Sequence, residues 1–325
     1  MIGFKNFQII VTVVPKRIVS FLPSATELLY EFGVQDDLYG VTHECKFPPD
    51  ALTKPIIINS VINSDELTSS EIDTMTCQLL NDGKDIFTIN ESNLKKANPD
   101  LIISQETCEV CAAHTNQVSK ALEILQTKPM LHSMDPHNMD EILQSVIELG
   151  KILSKETKAK EITESLEKRI LDIKKVQHAK KPKVLAIEWI KPFFTAGHWI
   201  PEMIEVAGGT NLISKKGEQS RRLDIQEVID SEPDIIIMMP CGFDTKRTVE
   251  EYNSILKGDK TWNSLKAVKE NQIFAVDANS FFSKPSIRTV EGLEILAKII
   301  NPEKFVNLKT NNESFVNINV RSNAK

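Results

Sequence analysis

Excess basic charge, long apolar runs and a balanced set of cysteines are all missing from this sequence. Lys and Arg total 39 against 45 Asp and Glu, giving a net charge of −6. That argues against a nucleic-acid surface, which normally carries a basic patch. The basic clusters Lys174-Lys175 and Lys180-Lys181-Pro182-Lys183 fall at a helix end and before a strand, where cations suit the helix macrodipole. No run approaches the ~18 apolar residues of a membrane span. Cysteine is limited to 5 residues, an odd number with two of them three apart, unlike a secreted disulfide framework. A reducing compartment fits that pattern better. The opening stretch MIGFKNFQIIVTVVPKR holds a short, interrupted apolar run with no small-residue cleavage site after it. It reads as an edge strand rather than a secretion signal. Cys45 is the first cysteine, so no thiol near the start suits a lipid anchor. These absences together lead to the expectation of a cytoplasmic protein.

What is present is a duplication. Residues 92–104 read SNLKKANPDLIIS and residues 226–238 read QEVIDSEPDIIIM. Each is a short helical stretch, a Pro-Asp stop and a run of aliphatic residues, as expected for a unit of a buried parallel sheet. The chain of 325 residues is long enough for two such lobes, and 41% hydrophobic with 26% charged residues is a globular balance. The expected fold is α/β, with two similar lobes whose strands end where open sheets bind ligands.

In the first lobe a strand at Arg17–Phe21 leads through Leu22-Pro23-Ser24 into a helix over Ala25–Phe32. Ser24 and Glu27 have the spacing of a capping box there. Strands follow at Leu38–Thr42 and Lys54–Asn59, then a helix at Ile72–Leu80, the first repeat, and a strand at Met130–Ser133. Beyond Asp135-Pro136 the pattern turns helical. Ala159, Ile162, Leu166, Ile170 and Ile173 step by three or four. One helix over Ser154–Gln177 would span roughly 36 Å, long enough to join two lobes. The expected organisation is therefore a first ligand-binding lobe at 1–153, a linking helix at 154–178, a second lobe at 179–308 and a loosely packed polar tail at 309–325.

Chemically active residues gather after the predicted strands. In the first lobe these are Ser24, His43-Glu44-Cys45 and the segment Gln105–Cys111, with Glu106, Cys108 and Cys111. In the second they are Glu188-Trp189, His198-Trp199, Cys241-Gly242-Phe243 and Asn279–Phe282. If the lobes face each other, these loops converge on one cleft, carrying two of the 3 tryptophans. Aromatic planes with a few polar anchors suit a large, flat, partly apolar ligand. His43, Cys45, Cys108 and Cys111 are suitable ligand types for tetrahedral zinc, and Cys111 near a helix start would suit thiol redox chemistry. A cytosolic metal-site or thiol-redox protein is thus an alternative to a binding protein. His43 and His198 could each serve as an axial ligand to cobalt or iron inside a macrocycle. Glu44 and Glu106 suggest acid–base work, but no nucleophile or oxyanion hole accompanies them.

Several motifs resemble one family. Ser20-Phe-Leu-Pro-Ser-Ala-Thr-Glu27, Gly40-Val-Thr-His-Glu-Cys45 with Phe47-Pro48-Pro49, and Pro99-Asp-Leu-Ile-Ile-Ser-Gln105 look like the substrate-binding proteins of cobalamin and ferric-siderophore ABC uptake systems. The likeness is strongest to the cobalamin branch and continues through Ala196-Gly-His-Trp199-Ile-Pro-Glu202, Met239-Pro-Cys-Gly-Phe-Asp244 and Asp277-Ala-Asn279. The resemblance implies class III periplasmic-binding-protein architecture, with two α/β lobes and mostly parallel sheets joined by one rigid helix. It implies non-catalytic capture of a corrinoid or siderophore-like metal chelate, with no required cofactor. The implied ligand-facing residues are Ser24, His43, Glu44, Cys45, Gln105, Glu106, Cys108, Cys111, Trp189, His198, Trp199, Cys241, Phe243, Asn279 and Phe281. It also implies an ABC permease as partner, engaged by one exposed glutamate on each lobe. The equivalent positions here hold Ser92 and Gln226, with Glu91 and Glu227 beside them. A one-residue shift turns a helical side chain by about 100°.

Overall fold

The computed structural model describes residues 14–105 and 115–318. The first lobe runs β1 (Ile18–Ser20), α1 (Pro23–Glu31), β2 (Leu38–Thr42), β3 (Ile56–Ser60), α2 (Ser69–Asn81), β4 (Phe87–Ile89), α3 (Glu91–Ala97), β5 (Leu101–Ser104), α4 (Thr115–Ile124) and β6 (Met130–Ser133). Its strands lie in the order β4-β3-β2-β1-β5-β6, all parallel except the β3–β4 pair. Two helices follow, α5 (Met139–Ile152) and α6 (Glu156–Lys174). The second lobe runs β7 (Lys183–Trp189), β8 (Phe194–Thr195), α7 (Ile200–Val206), β9 (Thr210–Asn211), α8 (Ile225–Ser231), β10 (Ile235–Met238), α9 (Thr245–Ile255), α10 (Lys266–Lys269), β11 (Ile273–Val276), α11 (Ala278–Phe281), α12 (Thr289–Ile300) and β12 (Phe315–Asn317). Its order is β12-β11-β10-β7-β8, with β9 also pairing β7. The β7–β10–β11 centre is parallel and the edges β8 and β12 are antiparallel.

The duplication is visible atom by atom. α3 and α8 both end in a left-handed residue just before the proline, Asn98 at φ 40° and Glu232 at φ 46°. The aspartate that follows then pins the start of the neighbouring parallel strand. Asp100 accepts from the Lys16 and Arg17 amides, both at 2.9 Å. Asp234 accepts from the Lys183 amide at 2.9 Å. Each sheet is apolar on both faces, as parallel strands buried under helices require. Val19, Ile57 and Ile102 face one core of the first lobe, and Ile18, Leu101 and Ile103 face the other.

The linking helix expected over Ser154–Gln177 is α6 (Glu156–Lys174). The chain turns just before it at Ser154, where φ is 53°, so that α5 and α6 fold back on each other. Gly150 permits the close approach, since a Cβ there would lie 2.5 Å from that of Ala159. Both helices serve both lobes. Val146, Leu149 and Ala159 pack into the first lobe, while Met139, Ile142, Leu166 and Ile173 pack into the second. Arg169 fixes α6 to α12 through a two-pronged pair with Glu294 at 2.8 and 2.7 Å. The expected loose tail is corrected. Phe315–Asn317 adds a strand beside β11, with Val316 and Ile318 buried, because alternation of apolar and polar residues suits a half-covered sheet edge.

Candidate functional site

The loops at the carboxyl ends of the two sheets meet. From the first lobe come the start of α1, the turn after β2 and the segment before α2; from the second come the ends of β7, β10 and β11 with the loop leading into α12. Glu44 Oε2 lies 3.9 Å from Lys284 Nζ, and Glu27 Oε1 lies 3.7 Å from Arg288 Nη1, both across the seam. The Arg288 guanidinium sits over the ring of Phe47 at 4.1 Å and that of Phe281 at 4.7 Å, so aromatic groups of both lobes hold one cation.

Ser24 is not the helix cap expected of it. Pro23 takes the first helical position, for which its fixed φ is preorganised, and Leu22 becomes the cap residue. Ser24 is therefore inside the helix, 2% exposed, and its Oγ has no hydrogen-bond partner among the described residues. Glu27 is displaced from its capping role too: it is buried, and desolvation raises its carboxyl above the usual range against the opposing pull of Arg288.

His43 lies directly after β2, with Nδ1 3.3 Å from the Ile58 carbonyl and Nε2 3.5 Å from Glu44. Cys45 turns inward. Its Sγ lies 3.1 Å from Thr26 Oγ1 and 3.4 Å from Thr42 Oγ1, and burial pushes its thiol upward. A thiol held protonated in a core is a poor metal ligand, so zinc gains no support from Cys45. Among the described residues no group of three or more His, Cys, Asp or Glu could hold a metal ion. Glu106, Cys108 and Cys111 lie outside the described residues. Gln105, just after β5, is buried.

In the second lobe Trp189 reaches across the seam, donating from Nε1 to the Ser69 carbonyl at 3.1 Å, with its edge against Phe243 at 5.4 Å. Asn279 accepts from Lys284 at 2.9 Å and its amide bonds the Phe243 carbonyl. The Cys241 amide bonds the Glu188 carbonyl, returning the loop to β7. Trp199 is a correction. It is 6% exposed, donates to the Phe282 carbonyl at 3.1 Å and belongs to the second lobe's core rather than to the seam. Its neighbour His198, at φ 54°, stacks instead on His137 of the first lobe, ring centroids 5.9 Å apart. Burial lowers the His198 pKa, and His137 adds to that lowering.

Four residues with no place in the sequence reading hold the lobes together. Glu251 and Arg247 on α9 bind the segment leading into α2: Glu251 takes the Ser69 amide at 2.6 Å, and Arg247 donates to the Ser64 and Leu67 carbonyls at 2.6 and 2.9 Å. Lys284 and Arg288 are the others. A Lys-x-x-x-Arg pair just past the recognised Asn279–Phe282 loop was the available signal.

Glu91 starts α3 and pairs with Lys95 at 3.0 Å. Glu227 is the third residue of α8. There it completes a capping box with Asp224 and pairs with Arg221 at 2.7 Å, which lowers its carboxyl pKa.

This two-lobe arrangement with ligand-sized loops at a seam is that of a solute-binding protein. The chain belongs to the periplasmic binding protein family, whose model it matches over residues 18–280. It is 24% identical over 197 residues to the high-affinity heme uptake system protein IsdE of Staphylococcus aureus, a match covering 59% of this chain and only 64% of that protein. It is 22% identical to the vitamin B12-binding protein of Vibrio cholerae over 86% of this chain and 87% of that one. The crystal structure of the periplasmic vitamin B12-binding protein BtuF of Vibrio cholerae aligns with a TM-score of 0.65 at 20% identity, covering 90% and 98% of the two chains. IsdE complexed with heme aligns at 0.66 and 19% identity, covering 88% and 98%. These likenesses show the fold. The family is one of binding proteins rather than enzymes. Membership also overturns the cytoplasmic expectation, since the family is periplasmic. The described cysteines Cys45, Cys77 and Cys241 are free thiols, and a free thiol does not exclude an extracytoplasmic protein. Among the described residues no helix is long and apolar enough to cross a membrane.

Proposed function

We propose that this chain captures a corrinoid, or a related metal chelate, between its two lobes and presents it to an ABC permease. The observation that carries this is the meeting of both sheets' carboxyl-end loops at Glu44 and Lys284, at the place where open α/β sheets bind ligands. The corrinoid is preferred on the cobalamin-branch motifs of the sequence, together with the vitamin B12-binding relative that aligns along 86% of the chain. The lobes, taken as 1–153 and 179–308, part to admit the ligand. His43, whose Nε2 lies 3.5 Å from Glu44, stands beside the Glu44–Lys284 contact and is the candidate axial ligand. Glu91 and Glu227, on helices of opposite lobes, are the candidate permease contacts; each is tied to a neighbouring cation that a permease arginine would displace.

The test is a titration of the purified protein with cyanocobalamin and, separately, with hemin, following tryptophan fluorescence and the visible bands. Saturable one-to-one binding of cyanocobalamin, with a fluorescence change lost in Trp189→Phe, supports the reading. Binding of hemin alone transfers the site to another chelate, and binding of neither overturns it.

A further inference from the structure

At the seam, donors and acceptors of opposite charge stand in adjacent pairs. Ser24 and Glu27, three residues apart, share one face of α1. Ser24 Oγ and Glu27 Oε2 are both buried without a partner among the described residues, although Glu27 also receives a hydrogen bond from Ser286. Opposite them stands Arg288, and beside them the Glu44–Lys284 pair, with Lys284 also donating to Asn279. Neither ion pair, at 3.7 and 3.9 Å, is closed to hydrogen-bonding distance. Each buried polar atom left without a partner is costly, so a ligand that completes them is favoured.

Resting on the corrinoid reading above, we infer that this seam recognises primary carboxamide groups on the rim of the ligand and discriminates against carboxylates. A primary amide offers a carbonyl acceptor and an N–H donor together. Set between a glutamate and a lysine or arginine, it satisfies both: the carbonyl accepts from the cation and the amide donates to the carboxylate or to Ser24. A carboxylate only accepts. It would satisfy Lys284 or Arg288 while lying against Glu44 or Glu27, and such like-charge contact is how an interface rejects a wrong partner. Two cations and two carboxylates also cancel, leaving no net charge to draw in a polyanion. Burial raises the Glu27 pKa. In its neutral form Glu27 would still present one donor and one acceptor to an amide, and the rejection of carboxylates would then rest on Glu44.

The experiment compares two probes with the same ring, dicyanocobinamide with its peripheral carboxamides and dicyanocobyrinic acid with carboxylates in their place. Both are titrated into the intact protein by calorimetry. The amide corrin is expected to bind about tenfold or more tightly. In Glu44→Gln the preference shrinks, and in the double variant Glu27→Gln/Glu44→Gln, which leaves Lys284 and Arg288 unpaired, it reverses. Equal affinity of the wild type for the two corrins, or an unchanged preference in the variants, overturns the inference while leaving corrinoid binding intact. If neither corrin binds the folded protein, the reading beneath it falls as well. Should the double variant fail to fold, Lys284→Gln serves instead: it removes one cation, so the carboxylate corrin loses affinity more than the amide corrin, and the opposite order contradicts the assignment.

Discussion

Glu251 of the second lobe caps a helix of the first: its Oε1 takes the amide hydrogen of Ser69, the first residue of α2, at 2.6 Å. Trp189 holds the same residue by its carbonyl, so both backbone polar groups of Ser69 in the first lobe are held by the second. Arg247, stacked 3.7 Å from the Phe243 ring, binds the Ser64 and Leu67 carbonyls of the segment leading to Ser69. Arg222 adds a pair with Asp73 farther along α2 at 2.9 Å. The seam is thus bridged here as well as at Glu44–Lys284 and Glu27–Arg288.

Breaking this grip loosens the lobes without touching either sheet. In Glu251→Ala the buried Ser69 amide loses its acceptor, at a cost of about 1–3 kcal/mol. Hydrogen exchange at Ser69 accelerates, ligand association quickens, and the far-UV circular dichroism stays unchanged. Exchange at Ser69 equal to that of the wild type would show that α2 does not need the second lobe.

The repeated aspartates make a paired prediction. Asp100→Ala removes the acceptor of the Lys16 and Arg17 amides and costs roughly 1 kcal/mol, since these are partly solvated backbone bonds. Asp234→Ala loses the Lys183 amide and the Lys266 ammonium at 2.6 Å and costs a similar amount. Urea denaturation reads both. If the equivalence is real, each variant speeds hydrogen exchange at the start of its own lobe's first strand and leaves the other lobe's unchanged.

Glu27 gives the stability a pH dependence of definite sign. Its folded-state carboxyl is raised above the ordinary 4.5, so the folded protein holds this proton more tightly than the unfolded chain. Stability from this group therefore falls as pH rises from about the ordinary value through the raised one, then levels. Glu188, buried and raised in the same direction, adds to the slope. Glu27→Gln reduces the decline without abolishing it. A pH–stability curve unchanged by the substitution would place the Glu27 proton's energetics elsewhere.

The sheets were readable in the sequence because buried parallel strands are short aliphatic runs closed by sharp stops, and the two Pro-Asp units announced themselves by repetition. Strands Leu38–Thr42 and Met130–Ser133 carry the expected boundaries. What depended on three dimensions was less legible. Pro23 outcompetes Ser24 for the helix start, a contest that residue type alone leaves open. Trp199 follows the cleft residue His198 in sequence, yet its indole turns to the Phe282 carbonyl inside the second lobe. The pairs Glu27–Arg288 and Glu44–Lys284 join residues over two hundred positions apart and leave no local pattern.

Capture between the lobes is tested most directly by hydrogen exchange of the whole chain with and without cyanocobalamin. Protection should appear together in His43–Cys45 of one lobe and Asn279–Lys284 of the other, at the same ligand concentration. Protection confined to one lobe, or lying wholly outside these two segments, would contradict a ligand held across the seam.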